Sequence, residues 1–311
     1  MPTSLRPSLA RLGGYQPETS ILSTALRALA QRLDEAGSGF SSNVETNVTL
    51  TGESAQDLFA SVEAGNRAIC YLASGYLSAR VPELSVLDLP FSVTDRAAAL
   101  NALDGKAGAL LTSAVERRTD YKVLGYWDNG FRHVSNHIRP IQCAQDCMGL
   151  SIRTLDSANY RQTLASLGFQ PITTDAKELV HVVRDRHVDA QENPLTNFMH
   201  FALWKYHPHL SMTGHFFGVL LLVCGKHWYD ALPRVRRDNL YEAAQAVTAL
   251  QRQTAAAEDE TLIRTLAAHG TRIVLPEDLH QTSMRAATAS LAKELRQEIP
   301  GELLGAYFQH G

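Results

Sequence analysis

The sequence predicts an α/β protein folded as two lobes. Helical and strand periods alternate from one end of the chain to the other, and the second half repeats the logic of the first. The length, 311 residues, suffices for two domains of ordinary size and a sizeable core.

Leu22, Leu26, Leu29 and Leu33 recur at helical spacing, with Thr19 or Ser20 as N-cap and Gly37-Ser38-Gly39 as the stop. Asn47-Val48-Thr49-Leu50 reads as a strand, and Ser54 to Ala64 as a helix closed by Gly65. Ala68 to Ala73 is a β-type run ending at Ser74-Gly75-Tyr76. Asp95 to Arg118 predicts one long helix and Lys122 to Trp127 another strand. In the second half, Leu150 to Arg153 is a strand, Ala158 to Leu167 a helix and Phe169 to Ile172 a strand. Asp175 to Arg186 follows as a helix, then His187 to Ala190 as a strand and further apolar strands around 210–224. Arg237 to Ala268 is a helix, Thr271 to Leu275 a strand, and a C-terminal helix begins near Glu277. This alternation argues for parallel sheets covered on both faces.

Composition narrows the class. Apolar content of 45% and charged content of 20% are those of a globular protein. A net charge of -3 offers no reason to expect nucleic acid or an anionic membrane surface as partner. The longest apolar run, Gly218 to Cys224, is far too short to span a bilayer and reads as a buried strand. The start, Met1-Pro2-Thr3-Ser4-Leu5-Arg6, lacks the basic residues and apolar stretch of a secretory signal. Four cysteines are too few for a disulfide framework. Cys70 and Cys224 read as core, while Cys143 and Cys147 either bridge or lie reduced on one helical turn, the second being favoured.

Ligands of open α/β sheets sit beyond the carboxyl ends of the strands. The residues there are Ser74-Gly75-Tyr76, Trp127 to Arg132, Arg153-Thr154-Leu155-Asp156 and Gln191-Glu192-Asn193. Two arginines and an asparagine at such positions form a cradle for a carboxylate, which a guanidinium matches bidentately. From periodicity alone, Arg132 and Arg153 read better as surface ion-pair partners. GxSxG, HExxH, GxxxxGK[ST] and GxGxxG are absent. His207, His209 and His215 share no obvious face, so no metal site is expected. The helix from Arg237 to Ala268 reads as amphipathic packing on the body rather than as a partner-binding element.

Several motifs recur in a fixed order: Leu87-Asp88-Leu89-Pro90-Phe91, Gly125 to Arg132, Gly149 to Arg153, Val188 to Leu195 and Leu210 to His215. Together they resemble the DctP-type solute-binding proteins of TRAP transporters, over a stretch from about Gly13 to Ala268. The resemblance implies a two-lobed periplasmic-binding-protein-like α/β fold, with mixed sheets flanked by helices and long C-terminal helices. It implies lobe I at 1–125 plus about 212–250, lobe II at 126–211 plus about 251–311, and a ligand cleft between them. By the same resemblance Arg153 forms the main salt bridge to a ligand carboxylate, Arg132 after the Asn-Gly-Phe turn supports it, and Asn193 adds an amide donor. Two departures stand out. Ala190 replaces a glycine of the motif, and Ala176 stands where relatives often place an aromatic ring. The absent leader departs too, and is read as a trimmed N-terminus of a periplasmic protein.

The expectation is a binding protein, not an enzyme, that captures an organic acid anion (a sugar acid or an aromatic or aliphatic hydroxy acid) and delivers it to a TRAP membrane permease. Tyr15, Gln16, Ser74, Tyr76, Trp127 and His215 are expected to line its pocket, with Asp156 and Glu192 from the strand ends. No catalytic residue, metal or cofactor and no nucleic acid is expected, and the chain is read as a monomer. The rival expectation is an enzyme on a small carboxylate, for which only Asp128, Glu192 and His215 offer chemistry near Arg153.

Overall fold

The computed structural model describes residues 8–35 and 38–308. Residues 1–6, read above for a leader, and Gly37 of the first helix stop lie outside them. The chain opens with a strand that periodicity did not reveal, β1 (Ser8–Gly13), whose alternation lasts only six residues. Helix α1 (Ile21–Leu33) is capped by Ser20, whose hydroxyl accepts from the Ser23 N–H. β2 (Phe40–Glu45) was also unread. The strand expected at Asn47 to Leu50 is instead a single 3-10 turn, Val48–Thr51. There the Asn47 side chain accepts from the Thr49 N–H at 3.2 Å, a local bond that competes with a ladder.

α2 (Ala55–Glu63) starts with a capping box between Ser54 and Asp57, and β3 (Ile69–Ala73) is buried throughout. The long helix expected next is two helices, α3 (Arg96–Asp104) and α4 (Lys106–Arg118), broken at Gly105. β4 (Tyr121–Asn136) does not stop at Trp127 but runs for 16 residues. The Asn-Gly-Phe segment, read as a turn, is a bulge inside β4 with Gly130 at φ +79°. α5 (Ala144–Cys147), β5 (Ser151–Thr154), α6 (Ala158–Ser166) and β6 (Gln170–Thr173) follow. A 3-10 turn at Ala176–Glu178 leads into α7 (Leu179–Arg184), both within the single helix expected there. β7 (Ala190–Pro194) is the Gln-Glu-Asn-Pro stretch itself, whereas the sequence ended a strand just before it. α8 (Leu195–His200) then leads to β8 (His209–Gly225), one strand of 17 residues instead of several. The rest is α9 (Lys226–Asp230), α10 (Arg234–Ala268), β9 (Arg272–Val274), α11 (Gln281–Glu298) and α12 (Gly301–Phe308).

All the strands belong to one mixed sheet, in the order β2-β1-β3-β8-β4-β7-β5-β6, with β9 beside the start of β8. Parallel pairs lie at its two ends, as the alternating pattern predicts. In the middle β4 and β8 run antiparallel along their whole length. The first half of β4 and the second half of β8 pair in lobe I, beside β3. Their other halves pair in lobe II, beside β7 and β9. Both lobes therefore share two strands, and the connection between them carries bulges around Asp128/Gly130 and Arg132/Val134.

Packing follows this division. One core cluster gathers Leu26, Leu29, Tyr71, Trp127 and Leu221 in lobe I. Two smaller clusters serve lobe II, one around Val134, Ile152 and Leu164, the other around Leu179, Phe198 and Leu210. Helix α10 is 35 residues long, about 50 Å at helical rise. Its Leu240, Ala244 and Val247 join the lobe I cluster, and its Leu262 and Leu266 a lobe II cluster. The C-terminal segment, expected in lobe II, returns to lobe I, where Leu303 and Tyr307 are buried. Cys70 and Cys224 are core residues, and all four cysteines are free.

The bulge at Gly130 is a demanding backbone position on the path between the lobes. Its left-handed φ disfavours any side chain, and an added Cβ would meet Arg96 Nη2 at 3.4 Å. Gly130→Ala is expected to lower unfolding free energy by about 1–2 kcal/mol in urea titrations, the cost of left-handed backbone for an L-residue. A stability equal to wild type would show that the bulge relaxes.

Candidate ligand-binding site

A small cavity lies between the lobes, where β4 and β8 pass from one to the other. Lobe I contributes Tyr15, Gln16, Ala73 and Tyr76 from the ends of β1 and β3, and the β4 bulge contributes Asn129 and Arg132. Lobe II closes it with Arg153, Leu155, Ala176 and Leu179, and with Asn193, Asn197 and Phe201 from β7 and α8. The lobes touch around the rim. The Ala55 N–H donates to Asp175 Oδ1 at 3.4 Å, and Thr19 Oγ1 meets His200 Nδ1 at 3.1 Å.

Arg132 is buried and already neutralised. Its Nε and Nη2 grip both oxygens of Glu192, with Nη2 to Oε1 at 2.9 Å, and Nη2 also donates to the Glu192 carbonyl at 3.0 Å. Glu192 Oε1 accepts a second bond from Thr154 Oγ1 at 2.8 Å. Burial alone would raise the Glu192 carboxyl, but the Arg132 charge and hydrogen bonds with His215 and Arg132 hold it down at about 2. His215 stands behind, its Nε2 3.5 Å from Glu192 Oε2, and burial keeps it below its ordinary pKa.

Arg153 has no such partner. Its Nε donates to Thr174 Oγ1 at 3.0 Å and its Nη2 to the Thr174 carbonyl at 2.6 Å. These bonds orient the group without balancing its charge. It is 3% exposed, and no carboxylate of the described residues comes within ion-pair distance, the acidic influences on it being Tyr76, Glu192 and Asp175 in that order. Burial pushes its pKa down, as expected for a cation short of a counter-ion.

The polar strand β7 supplies the amides. Asn197 Nδ2 donates to Asn193 Oδ1 at 2.9 Å, and Asn193 Nδ2 to Gln191 Oε1 at 2.6 Å. Gln191 Nε2 donates to Ser135 Oγ at 2.6 Å, and Ser135 ends the chain on His207 Nδ1 at 3.0 Å. This fixes the Asn193 amide and leaves its second N–H for the cavity. Gln16 Oε1 and Asn129 Oδ1 are buried at the cavity wall without a protein partner among the described residues. Tyr15 and Tyr76 form an aromatic wall with Phe59, Tyr76 lying 5.2 Å and Tyr15 5.7 Å from that ring.

The family described as "Bacterial extracellular solute-binding protein, family 7" (DctP) matches residues 12–298. This chain belongs to it. A curated relative, the 2,3-diketo-L-gulonate-binding periplasmic protein YiaO of Escherichia coli, is 30% identical over 72% of this chain and 68% of its own length. Two solved structures share the fold. One, at TM-score 0.91 and 23% identity, is the sugar acid binding protein DctPAm of Advenella mimigardefordensis in complex with galactonate, with 98% of each chain covered. The other, at TM-score 0.89 and 22% identity, is a TRAP periplasmic solute-binding protein of Sulfurospirillum deleyianum with bound succinate, with 97% of this chain and 99% of that one covered. Family 7 proteins are solute-binding proteins of transporters, not enzymes.

In this DctP protein the cavity gathers Arg132, Arg153, Asn193, Tyr15, Gln16 and Tyr76, together with Ala176. Five other expected residues stand apart from it. Trp127 precedes the bulge, turns its Nε1 to Thr248 at 3.1 Å and packs on Tyr71. Ser74 lies beneath the wall, bonded to Asp88 at 3.1 Å. Asp156 points outward and pairs with Arg161. Glu192 and His215 sit behind Arg132. Asn129, Asn197, Phe201, Leu155, Leu179 and Ala73 were not singled out. Asn193, Asn197 and Phe201 do carry a signal, a spacing of four that puts Asn197 and Phe201 on one face of the helix after β7.

Glu192→Gln removes the carboxylate that is ion-paired with Arg132. It should lower stability at pH 7 by about 3–5 kcal/mol, the range for breaking a buried pair on one side. The wild-type carboxyl titrates lower folded than unfolded, so its contribution is full above about pH 5 and is lost as pH falls towards 2. Urea unfolding from pH 7 to pH 2 should show the gap between wild type and variant closing. A constant gap would place the stabilising charge elsewhere.

Proposed function

We propose that the protein captures a hydroxylated monocarboxylate, a sugar acid, in the periplasm and delivers it as a monomer to the TRAP permease. The observation that carries this reading is Arg153, a buried guanidinium at the cavity with no carboxylate of the described residues to balance it. A ligand carboxylate supplies that charge and accepts two aligned N–H groups.

Charge counting limits the ligand to one carboxylate. Arg132 and Arg153 are the cations of the lining, and Glu192 already neutralises the first. A second carboxylate would meet only amides, hydroxyls and apolar side chains. Succinate, bound by one structural neighbour, therefore suits this cavity less than the ligands of the other two relatives. The unpartnered amide oxygens of Gln16 and Asn129 favour hydroxyl groups on the ligand, since a hydroxyl both donates to them and accepts from Asn193. Ala176 lines the same cavity as Tyr76, and its small side chain takes up little of that space. Capture itself is lobe closure, with the ligand anion bridging Arg132 of the shared strand and Arg153 of lobe II.

A thermal-shift panel of D-galactonate, D-erythronate, D-galacturonate and succinate, followed by calorimetry, tests the class. The hydroxylated monocarboxylates should bind at 1:1 and be recovered unchanged. Tighter binding of succinate would overturn the charge count, and conversion of any hit would restore the enzyme reading. Arg153→Ala should abolish detectable binding with the fold intact, and Arg153→Lys should recover part of it, because a charged hydrogen bond contributes about 1.5–3 kcal/mol and the fork geometry is lost. Ala176→Phe should weaken the bound acid more than about tenfold, an overpacking cost of about 1–3 kcal/mol. Its melting temperature without ligand should stay near that of wild type. Unchanged affinity would remove Ala176 from the ligand's surroundings.

A further inference from the structure

Tyr160, on α6, does not line the cavity, yet it lies against one of its two cations. The Arg132 guanidinium carbon is 5.3 Å from the centre of the Tyr160 ring. That ring stacks on Phe216, with centroids 4.3 Å apart and planes within 18°. Its hydroxyl donates to Asp88 Oδ1 at 3.4 Å, which also accepts from Ser74 Oγ at 3.1 Å. Asp88 is fully buried, and its Oδ2 has no hydrogen-bond partner among the described residues.

The two supports of Arg132 act in different directions. β7 holds the guanidinium along its Nε–Nη2 edge, through the Glu192 carboxylate, the Glu192 carbonyl and Asn193 Oδ1. Bonds along one edge leave the group free to swing about that edge, out of its plane. A ring against the guanidinium resists that swing, and the attraction of a desolvated cation for the ring face adds to the resistance. The ring in turn is held by Phe216 and, at its hydroxyl, by Asp88.

We propose that Tyr160 is a positioning residue for Arg132 and that Asp88 holds Tyr160 in place, so that anion capture depends on two side chains outside the cavity. This rests on the carboxylate-capture reading given above. The charged and titratable groups around Asp88 are Arg132 on β4, Glu192 on β7, Tyr160 on α6 and Tyr307 on α12. Burial raises the Asp88 carboxyl to about 7, against the pull of Ser74, Arg132 and Tyr160. Glu192 stays ionised at about 2, both tyrosines are raised, and His215 is lowered, so Asp88 is the member of this group that changes charge near neutrality. Ionised Asp88 repels an incoming anion. Protonated, it keeps a hydrogen bond with Tyr160 and leaves the site more positive, so affinity should rise as pH falls from 8 to 6.

The test has a ligand-free arm and a binding arm. Without ligand, the Arg132 side-chain Nε–H nuclear magnetic resonance signal should be sharp and slow to exchange in wild type and in Tyr160→Phe. It should broaden or exchange faster in Tyr160→Leu. An Arg132 signal unaltered in folded Tyr160→Leu overturns the proposal, whatever acid the protein carries. With D-galactonate as probe, Tyr160→Leu should bind about tenfold more weakly and Tyr160→Phe nearly as well as wild type. Asp88→Asn keeps an acceptor for both hydroxyls, so it serves if Tyr160→Leu does not fold. Its galactonate affinity should be flat from pH 8 to pH 6 while that of wild type rises. A wild-type profile that is flat, or one that Asp88→Asn retains, overturns the role of Asp88. Failure of wild type to bind any acid, with the Arg132 signal responding as described, counts against the capture reading and supports the positioning one.

Discussion

A guanidinium can be taken out of water only if a counter-charge goes with it. Here two of them, Arg132 and Arg153, are buried at one cavity, and among the described residues a single carboxylate, Glu192, lies within ion-pair distance. The deficit of one negative charge is the constraint around which the rest is arranged. It sets the sign of the ligand and leaves the cavity unfavourable while it is sealed and empty. Closure and anion binding are thereby linked by electrostatics, because a sealed cavity raises the cost of the unmatched charge and a bound carboxylate removes it.

The fold meets this constraint through an unusual use of a central strand. β7 carries glutamine, glutamate and asparagine in succession, all buried, between β4 and β5. Each polar group finds its partner on a neighbouring strand or helix: Gln191 on Ser135, Glu192 on Arg132 and Thr154, Asn193 on Asn197. A strand of this kind is stable only inside its full set of neighbours. It therefore ties the site's integrity to the assembly of the whole central sheet.

The sequence was most legible where periods are long or caps are chemical. The helix opened by Ser20, the capping box at Ser54, the buried β3 run and the long helix to Ala268 all appear close to their expected places. β7 was misjudged because its residues look like a loop. Their burial is decided by partners 38 to 60 positions away, which no local pattern records. The two arginines and Asn193 were legible from the order of the motifs, not from periodicity, which made them surface residues. His215 was drawn in by the motif that it closes, and Trp127 and Asp156 by nearness to strand ends. That rule says where a ligand lies but not which way a side chain faces, and the bulge beside Gly130 alters the alternation at the place where it mattered.

The shared strands have a mechanical meaning. Two long strands and one 35-residue helix all pass from lobe to lobe. Among the described residues these three crossings are continuous elements rather than loops, and the C-terminal segment adds a return to lobe I. In the capture reading proposed above, the lobes would move as the two arms of a flexure, with bending spread over several continuous members and gathered at the bulges of β4. Such a part has a rest angle and a restoring torque, and its travel is small and repeatable. Opening at the membrane then needs only a modest push against the far side of the lobes, after which the spring itself resets the protein for the next molecule.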